Sequence, residues 1–252
     1  QLLQVLDEMP LRPMRAGEDG LRLSLAGAQD KLPVVWDADG LRMGLPLSGS
    51  PSSHILKPPI AGIDGSVFNE AFCMALAGAL KLDVARTQIQ AITDGEQQRH
   101  YLLVERYDRQ ADIPNLPTQR LHQEDFCQAL GIASEHKYQN EGGPGLAQAF
   151  ALVRSATRPS ALHTLKLLDF VVFNALIGNH DAHGKNFSLL YTPAGAVLAP
   201  LYDALSTAVY PALTEKMAMQ IGSKYKFSEV MSPLWEQFAV YAALSPAPFK
   251  KR

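Results

Sequence analysis

Between two apolar stretches the chain carries Gly178-Asn179-His180-Asp181-Ala182-His183-Gly184-Lys185-Asn186-Phe187. A hydrophobic core has no use for so polar and glycine-rich a run, whereas a loop held in place for chemistry does. The step from Asp181 to Asn186 fits D-x-x-x-x-N, the spacing of a phosphoryl-transfer catalytic loop. In such a loop the aspartate orients or deprotonates an attacking hydroxyl, and the asparagine turns back to hold magnesium. The next acid at a suitable place is Asp203, in Pro200-Leu201-Tyr202-Asp203, directly after a hairpin pattern. A second metal ligand arrives there in the same way. Each piece has a plainer reading. The spacing arises by chance, and an isolated aspartate is more often a turn residue. His180 and His183 beside Asp181 also suggest a metal-hydrolase site. The order of apolar helix, polar loop, hairpin and acid favours phosphoryl transfer.

The elements that must carry these residues follow from periodicity. The helix before the loop, Ser160 to Ile177, is apolar nearly all round through Leu165, Leu167, Leu168, Phe170, Val171, Val172 and Phe173. A helix of that kind lies in a core, and Gly178 ends it. Phe187 to Tyr191 and Ala196 to Ala199 read as a hairpin joined by Thr192-Pro193-Ala194-Gly195. Upstream, Gln123 to Leu130 is expected to be a helix closed by Gly131, and Pro144 to Ser155 another.

Before residue 110 the pattern is strand-like. Leu21 to Leu25 and Leu32 to Trp36 read as strands around Ala26-Gly27-Ala28-Gln29-Asp30. Ser24 to Lys31 has the form of a phosphate-covering loop, although with Gly27 alone it is neither G-x-G-x-x-G nor a P-loop. Asp39-Gly40 suggests a tight hairpin leading to a further strand. His54-Ile55-Leu56-Lys57 is a short strand stopped by Pro58-Pro59. Lys57 is there either a snorkelling surface residue or a phosphate contact, and Glu70 in the following helix could pair with it. That helix, Ser66 to Leu80, repeats Phe68, Phe72, Ala75, Leu76 and Ala79 on one apolar face. Gln88 to Thr93 and Tyr101 to Tyr107 are strands joined through Asp94-Gly95. Glu105-Arg106-Tyr107-Asp108 falls where a hinge would grip adenine. The expected fold is therefore α+β with two lobes, a sheet-rich lobe over 1–110 and a helical lobe over 111–252.

Composition sets bounds around this reading. The 252 residues are 47% hydrophobic and 19% charged, with net charge −2, as in an ordinary folded domain. No global charge draws the chain to nucleic acid or an anionic membrane. Lys216, Lys224, Lys226, Lys250 and Lys251 could form a local basic patch or a solvated face. Cys73 and Cys127 are too few and too far apart for a disulfide framework or a zinc site. They read as core residues in a reducing compartment, and the expected location is the cytoplasm. No stretch is apolar for long enough to span a bilayer. A first residue of Gln and an end at Lys250-Lys251-Arg252, soon after a fresh helical pattern, suggest that sequence is missing at one or both ends.

Taken together, the segments resemble the HipA family of serine/threonine kinases, the toxin halves of bacterial toxin–antitoxin pairs. The resemblance runs through Ser24 to Lys31, Ser53 to Lys57, Asn69-Glu70, Val104 to Asp108 and Gln123-Glu124-Asp125. It continues with Lys137-Tyr138, Gly142-Gly143-Pro144-Gly145, Asn179 to Ser188, Tyr202-Asp203 and Lys216-Met217-Ala218-Met219. It implies a two-lobed protein-kinase-like fold that uses ATP and Mg2+. Asp181 is then the catalytic base, Asn186 and Asp203 hold magnesium, and His183 lies near the phosphates. Lys57 contacts ATP phosphates, Glu105 and Tyr107 sit at the adenine, and Ala26, Gly27 and Ala28 belong to the phosphate-binding loop. Ser24 matches the family's autophosphorylated serine. Gly142 to Gly145 is assigned to structure.

The resemblance also implies partners. A HipB-like helix-turn-helix antitoxin binds the kinase and links it to DNA indirectly. Family members phosphorylate aminoacyl-tRNA synthetases. Family toxins carry a small N-terminal subdomain before the Ser24 segment. Here either it is missing or a separate small protein supplies it. Two other readings compete: a catalytically silent regulatory subunit bound to an antitoxin–DNA complex, and a small-molecule kinase.

Overall fold

Alternation of apolar and polar residues builds the first sheet. The computed structural model describes residues 31–36, 43–46, 51–95, 97–110 and 119–244. These divide into two compact units, one within 1–75 and 85–120, the other within 76–84 and 121–252. The chain is α+β.

In the first unit β1 (Leu32–Trp36), β2 (Met43–Gly44), β3 (His54–Lys57), β4 (Thr87–Asp94) and β5 (Gln97–Glu105) form one sheet in the order β2-β1-β3-β5-β4. Every pairing is antiparallel. Side chains two apart share a face of a strand. Leu32 and Val34 of β1 therefore join Leu56, Tyr101 and Leu103 in a buried cluster, with Trp36, Met43 and Ile92 packed against it. Two strands match their expected bounds, Leu32–Trp36 and His54–Lys57. The Leu21 to Leu25 strand and the Asp39-Gly40 turn lie outside the described residues. A short pair, β6 (Arg109–Gln110) with β7 (Gln119–Arg120), follows among the described residues of this unit.

Helix α1 (Ser66–Ala79) forms as expected, but the apolar stripe through Phe68 and Phe72 is not its buried face. Val67, Glu70, Cys73, Met74 and Ala77 are buried. Phe68 is 49% exposed, Phe72 68% and Leu76 36%, and Ala75 and Ala79 are exposed too. The helix is apolar on more than one side, so its period alone fits either orientation. Glu70 decides the matter. It is buried because Lys57 is its ionic partner, and it carries its own face inward.

In the second unit, Gln123 to Leu130 is not the single helix expected. His122–Asp125 forms β8, and only Phe126–Ala129 is helical, as α2. Asp125 accounts for the switch. Its carboxylate accepts from the Gln128 backbone N–H at 2.9 Å, and the Gln128 side chain accepts from the Asp125 N–H at 3.0 Å. That reciprocal capping box starts a helix at the next residue and leaves what precedes it extended. β8 pairs with β9 (Ser188–Thr192), and β9 with β10 (Gly195–Leu198), in the order β10-β9-β8. Two long helices, α3 (Leu146–Ala156) and α4 (Ser160–Leu176), lie between them in sequence, and α5 (Ser232–Tyr241) follows. Leu167, Leu168, Phe170, Val171 and Phe173 of α4 are buried, as are Phe150 of α3 and Phe238 of α5. Those last two rings meet edge to face at 5.6 Å. Such side chains stabilise a fold by about 1.5–3 kcal/mol each. Both cysteines are buried and unpaired with each other. Among the described residues no helix is long and apolar enough to cross a membrane.

Candidate active site

Gly178 takes the chain out of α4 into the polar loop. Its φ is +67°, and a Cβ there would lie 2.6 Å from that of Ala208. Only glycine satisfies both the turn and the approach. The Gly178 carbonyl accepts the N–H groups of Thr207 (3.1 Å) and Ala208 (3.0 Å). The Thr207 hydroxyl in turn accepts from the His180 N–H at 2.8 Å.

A buried amide relay then ties the loop to α4. Asn174 Nδ2 donates to the Phe170 carbonyl at 2.8 Å, and Asn179 Nδ2 donates to Asn174 Oδ1 at 2.7 Å. Asn179 Oδ1 accepts from the Asp181 N–H at 3.1 Å. The Asp181 carbonyl accepts from the His183 N–H at 2.8 Å. Gly184–Asn186 closes a single 3-10 turn. A Cβ on Gly184 would sit 2.4 Å from Pro144 Cγ and 2.9 Å from Cys127 Sγ, so the Gly142–Gly145 segment packs directly under the loop.

The turn brings Asn186 round to Asp203. Asn186 Nδ2 donates to Asp203 Oδ2 at 3.0 Å, while Asn186 Oδ1 accepts from the His183 N–H at 3.1 Å. Asp203 sits at φ +61°, in the left-handed region that Asp tolerates better than most residues. Its neighbour Tyr202 donates its hydroxyl to the Lys185 carbonyl at 2.7 Å and shares a 2.7 Å bond with the Ser188 hydroxyl. The strand-to-loop junction is thereby pinned beside the acid.

Amide and carboxylate oxygens are hard ligands. Magnesium is usually held by one or two carboxylates together with substrate phosphates and waters. Asn186 and Asp203 fit that pattern, with a rotation of the Asn186 amide needed to turn Oδ1 toward a cation. A zinc-type site does not fit: among the described residues no group of three or more His, Cys, Asp or Glu converges. His180 packs on the Phe227 ring at 5.3 Å and His183 edge-on to Tyr138 at 5.4 Å.

His183 is 7% exposed, and among the described residues its Nδ1 has no hydrogen-bond partner. A buried orphan of this kind is costly unless a ligand or water meets it. Burial pushes the imidazole down to about 4, against the opposing pull of the Asp181 and Asp203 carboxylates. It is therefore neutral at pH 7. Asp181 receives a 2.7 Å hydrogen bond from the Tyr138 hydroxyl on Oδ1. Burial, and then Asp181, raise the Tyr138 phenol well above the ordinary tyrosine range.

In the first unit, Lys57 is not a snorkelling surface residue. Its ammonium lies 2.5 Å from Glu70 Oε1, and the two side chains are 6% and 4% exposed. Glu105 is exposed and pairs with Arg86 at 3.7 Å. Tyr107 is half-buried. Between and after them, Arg106 and Arg109 clamp the buried Asp108, each at 2.8 Å. Burial pushes the Asp108 carboxyl up, but the bonds and charges of the two arginines outweigh this and hold it below the ordinary range. Ser24, Ala26, Gly27 and Ala28 lie outside the described residues. Of the late lysines, Lys224 pairs with Glu229 at 3.2 Å and Lys226 with Glu215 at 3.3 Å, the character of a solvated face. Sequence reasoning gave no role to Tyr138, Asn174 or Thr207. Tyr138 carried the one available signal, a tyrosine shortly before a glycine-rich turn.

Comparison with known proteins gives the family and the fold. The chain belongs to the HipA-like C-terminal domain family, whose sequence model matches residues 23–251. It is 48% identical over 251 residues to Y4mE of Sinorhizobium fredii, named as a kinase, covering 100% of this chain and 58% of that protein. It is 31% identical over 240 residues to the serine/threonine-protein kinase toxin HipA of Shewanella oneidensis, covering 89% of this chain and 52% of the toxin. The structure of Shewanella oneidensis HipA with HipB and operator DNA superposes with a TM-score of 0.81 at 27% identity, over 100% of this chain and 60% of that one. The chain thus spans between half and two thirds of the length of these relatives. Its fold is that of the HipA kinases.

Proposed function

We propose that this chain is the phosphoryl-transfer core of a HipA-type serine/threonine protein kinase. The observation that carries the reading is the meeting at 3.0 Å of Asp203 with Asn186, which lies in the loop that also presents Asp181. Asp181 accepts the proton of the attacking serine or threonine hydroxyl and aligns it. Asn186 and Asp203 would hold Mg2+, which screens the charge of the ATP phosphates when bound. The neutral His183, with its buried unpartnered nitrogen, suits a phosphate oxygen or a bridging water. Lys57, held extended by Glu70, serves as the phosphate-contacting cation. Glu105 and Tyr107 serve the adenine, and Ala26 to Ala28 cover the phosphates. Ser24 is the proposed site of self-phosphorylation.

The whole-protein role follows the relatives. The Shewanella oneidensis toxin is solved with HipB and operator DNA, which supports a HipB-like antitoxin as partner here, with DNA reached through it. The net charge of −2 agrees with leaving DNA to that partner. We place the activity in the cytoplasm, on a protein target of the aminoacyl-tRNA synthetase class. Quantitative phosphoproteomics after induced expression, wild type against Asp181→Ala, tests this. New phosphoserine or phosphothreonine on one main target, absent with the variant, is the expected result. Identical phosphoproteomes would overturn the assignment.

A further inference from the structure

We infer that Tyr138 is a positioning residue for phosphoryl transfer: its phenol holds one oxygen of Asp181 so that the other faces the incoming hydroxyl. This rests on Asp181 being the base. The backbone of Asp181 is fixed without Tyr138, through the Asn179 side chain at 3.1 Å and the His183 N–H at 2.8 Å. The carboxylate is not. A backbone held in place still leaves χ1 and χ2 free to turn. Among the described residues Tyr138 is the one donor to the Asp181 side chain, to Oδ1 at 2.7 Å.

Tyr138 is itself built in. Its carbonyl accepts from Gly143 at 2.9 Å and Glu141 at 3.0 Å, and the preceding Lys137 carbonyl accepts from the Gly184 N–H at 3.3 Å. A Cβ at Gly143 would lie 2.5 Å from the His136 oxygen and 2.7 Å from that of Tyr138, so the turn admits only glycine. Gln139 donates its N–H to the Ala218 carbonyl at 2.9 Å, and the Ala218 N–H donates to the His180 carbonyl at 2.7 Å. One strut of three residues therefore grips the loop on both sides of Asp181. The Lys137 ammonium lies 5.0 Å over the Tyr138 ring, and the ring stands edge-on to His183.

The chemistry explains why such a hold is worthwhile. A hydrogen bond to a carboxylate weakens it as a base. In a loose phosphoryl-transfer transition state, alignment of the nucleophile matters more than proton affinity. Spending Oδ1 on Tyr138 leaves Oδ2 in one orientation.

The test measures label transfer from γ-labelled ATP, together with thermal midpoints, for wild type, Tyr138→Phe, Asp181→Ala and the double variant. Tyr138→Phe should lower kcat about tenfold while the KM for ATP and the melting midpoint stay at wild-type values. It should cause no further loss on top of Asp181→Ala, because residues acting as a unit are non-additive. If Asp181→Ala is inactive but Tyr138→Phe keeps wild-type kcat, the inference about Tyr138 fails and the base assignment stands. A tenfold loss accompanied by a lower melting midpoint and a raised KM would also overturn it, in favour of a plain structural role. If Asp181→Ala retains full activity, the base assignment itself falls, and this inference with it.

Discussion

The side chains of Asn186 and Asp203 touch, Nδ2 to Oδ2 at 3.0 Å, although the β9–β10 hairpin separates them in sequence. The contact is local in space because both residues flank that hairpin, and Tyr202 ties its far end back to Lys185 and Ser188. Asn186 has its amide oxygen on the His183 N–H. Asp203 adopts the left-handed backbone region at φ +61°, at a cost of roughly 1–3 kcal/mol for a residue other than glycine. Under the proposed function, the pair would hold a ligand at the expense of some backbone strain.

Asp203→Asn keeps the shape and the tolerance for that backbone while removing the charge. It should leave the melting midpoint within about 2 °C and weaken magnesium-dependent ATP binding at least tenfold, since two metal-bridged phosphates carry much of the affinity in such sites. Calorimetric titration with ATP, with and without magnesium, reads this directly. Binding that is independent of magnesium and unchanged in the variant would refute the metal assignment.

The Lys57–Glu70 pair is the converse case, a buried contact whose disruption costs stability. Removing one partner takes an ion pair away from a buried charge. Glu70→Ala should therefore cost about 3–5 kcal/mol by denaturant unfolding. Replacing both residues by apolar ones of similar volume, Lys57→Met with Glu70→Leu, should recover most of that stability and none of the activity. Equal losses in the single and double variants would show that the ion pair is not what holds Glu70 inward.

How much of this was legible follows the kind of physics involved. Strands β1 and β3 and helix α4 could be read because their periods are unambiguous. The loop from Gly178 to Asn186 could be read as a loop because a polar, glycine-rich run between two apolar elements does not fit a core. Helix α1 could not be oriented, since Phe68 and Phe72 offer as good a stripe as Val67 and Met74. The choice depends on Glu70 meeting Lys57 across thirteen positions. The Gln123 segment failed because a capping box at Asp125 overrides helix propensity. Tyr138 was out of reach for a similar reason: its bond to Asp181 spans 43 positions.

Acid should destabilise the fold early, and His183 is one cause. Burial depresses its folded pKa from 6.5 to about 4. Above pH 6.5 neither state is protonated and its contribution is fully present. Between 6.5 and about 4 the unfolded chain takes up a proton that the folded chain refuses, so stability is lost as pH falls. Below about 4 both states are protonated and the loss levels off. The full difference is at most about 3 kcal/mol. Burial also lowers His54, His163 and His180, so they act in the same direction. Unfolding free energies at pH 7 and 4.5 should differ less in His183→Gln than in wild type. An unchanged difference would mean that the imidazole is not held neutral.

The central claim is that the loop built around Asp181 transfers phosphate, and one measurement bears on it most directly. Purified wild type and Asp181→Ala are incubated with γ-labelled ATP and magnesium, and label on protein serine or threonine is followed alongside the melting midpoint. Transfer should fall by at least about a hundredfold, while the midpoint is unchanged or raised, as is usual when an active-site carboxylate is removed. Equal transfer by both proteins, or an Asp181→Ala protein that unfolds early, would contradict the claim.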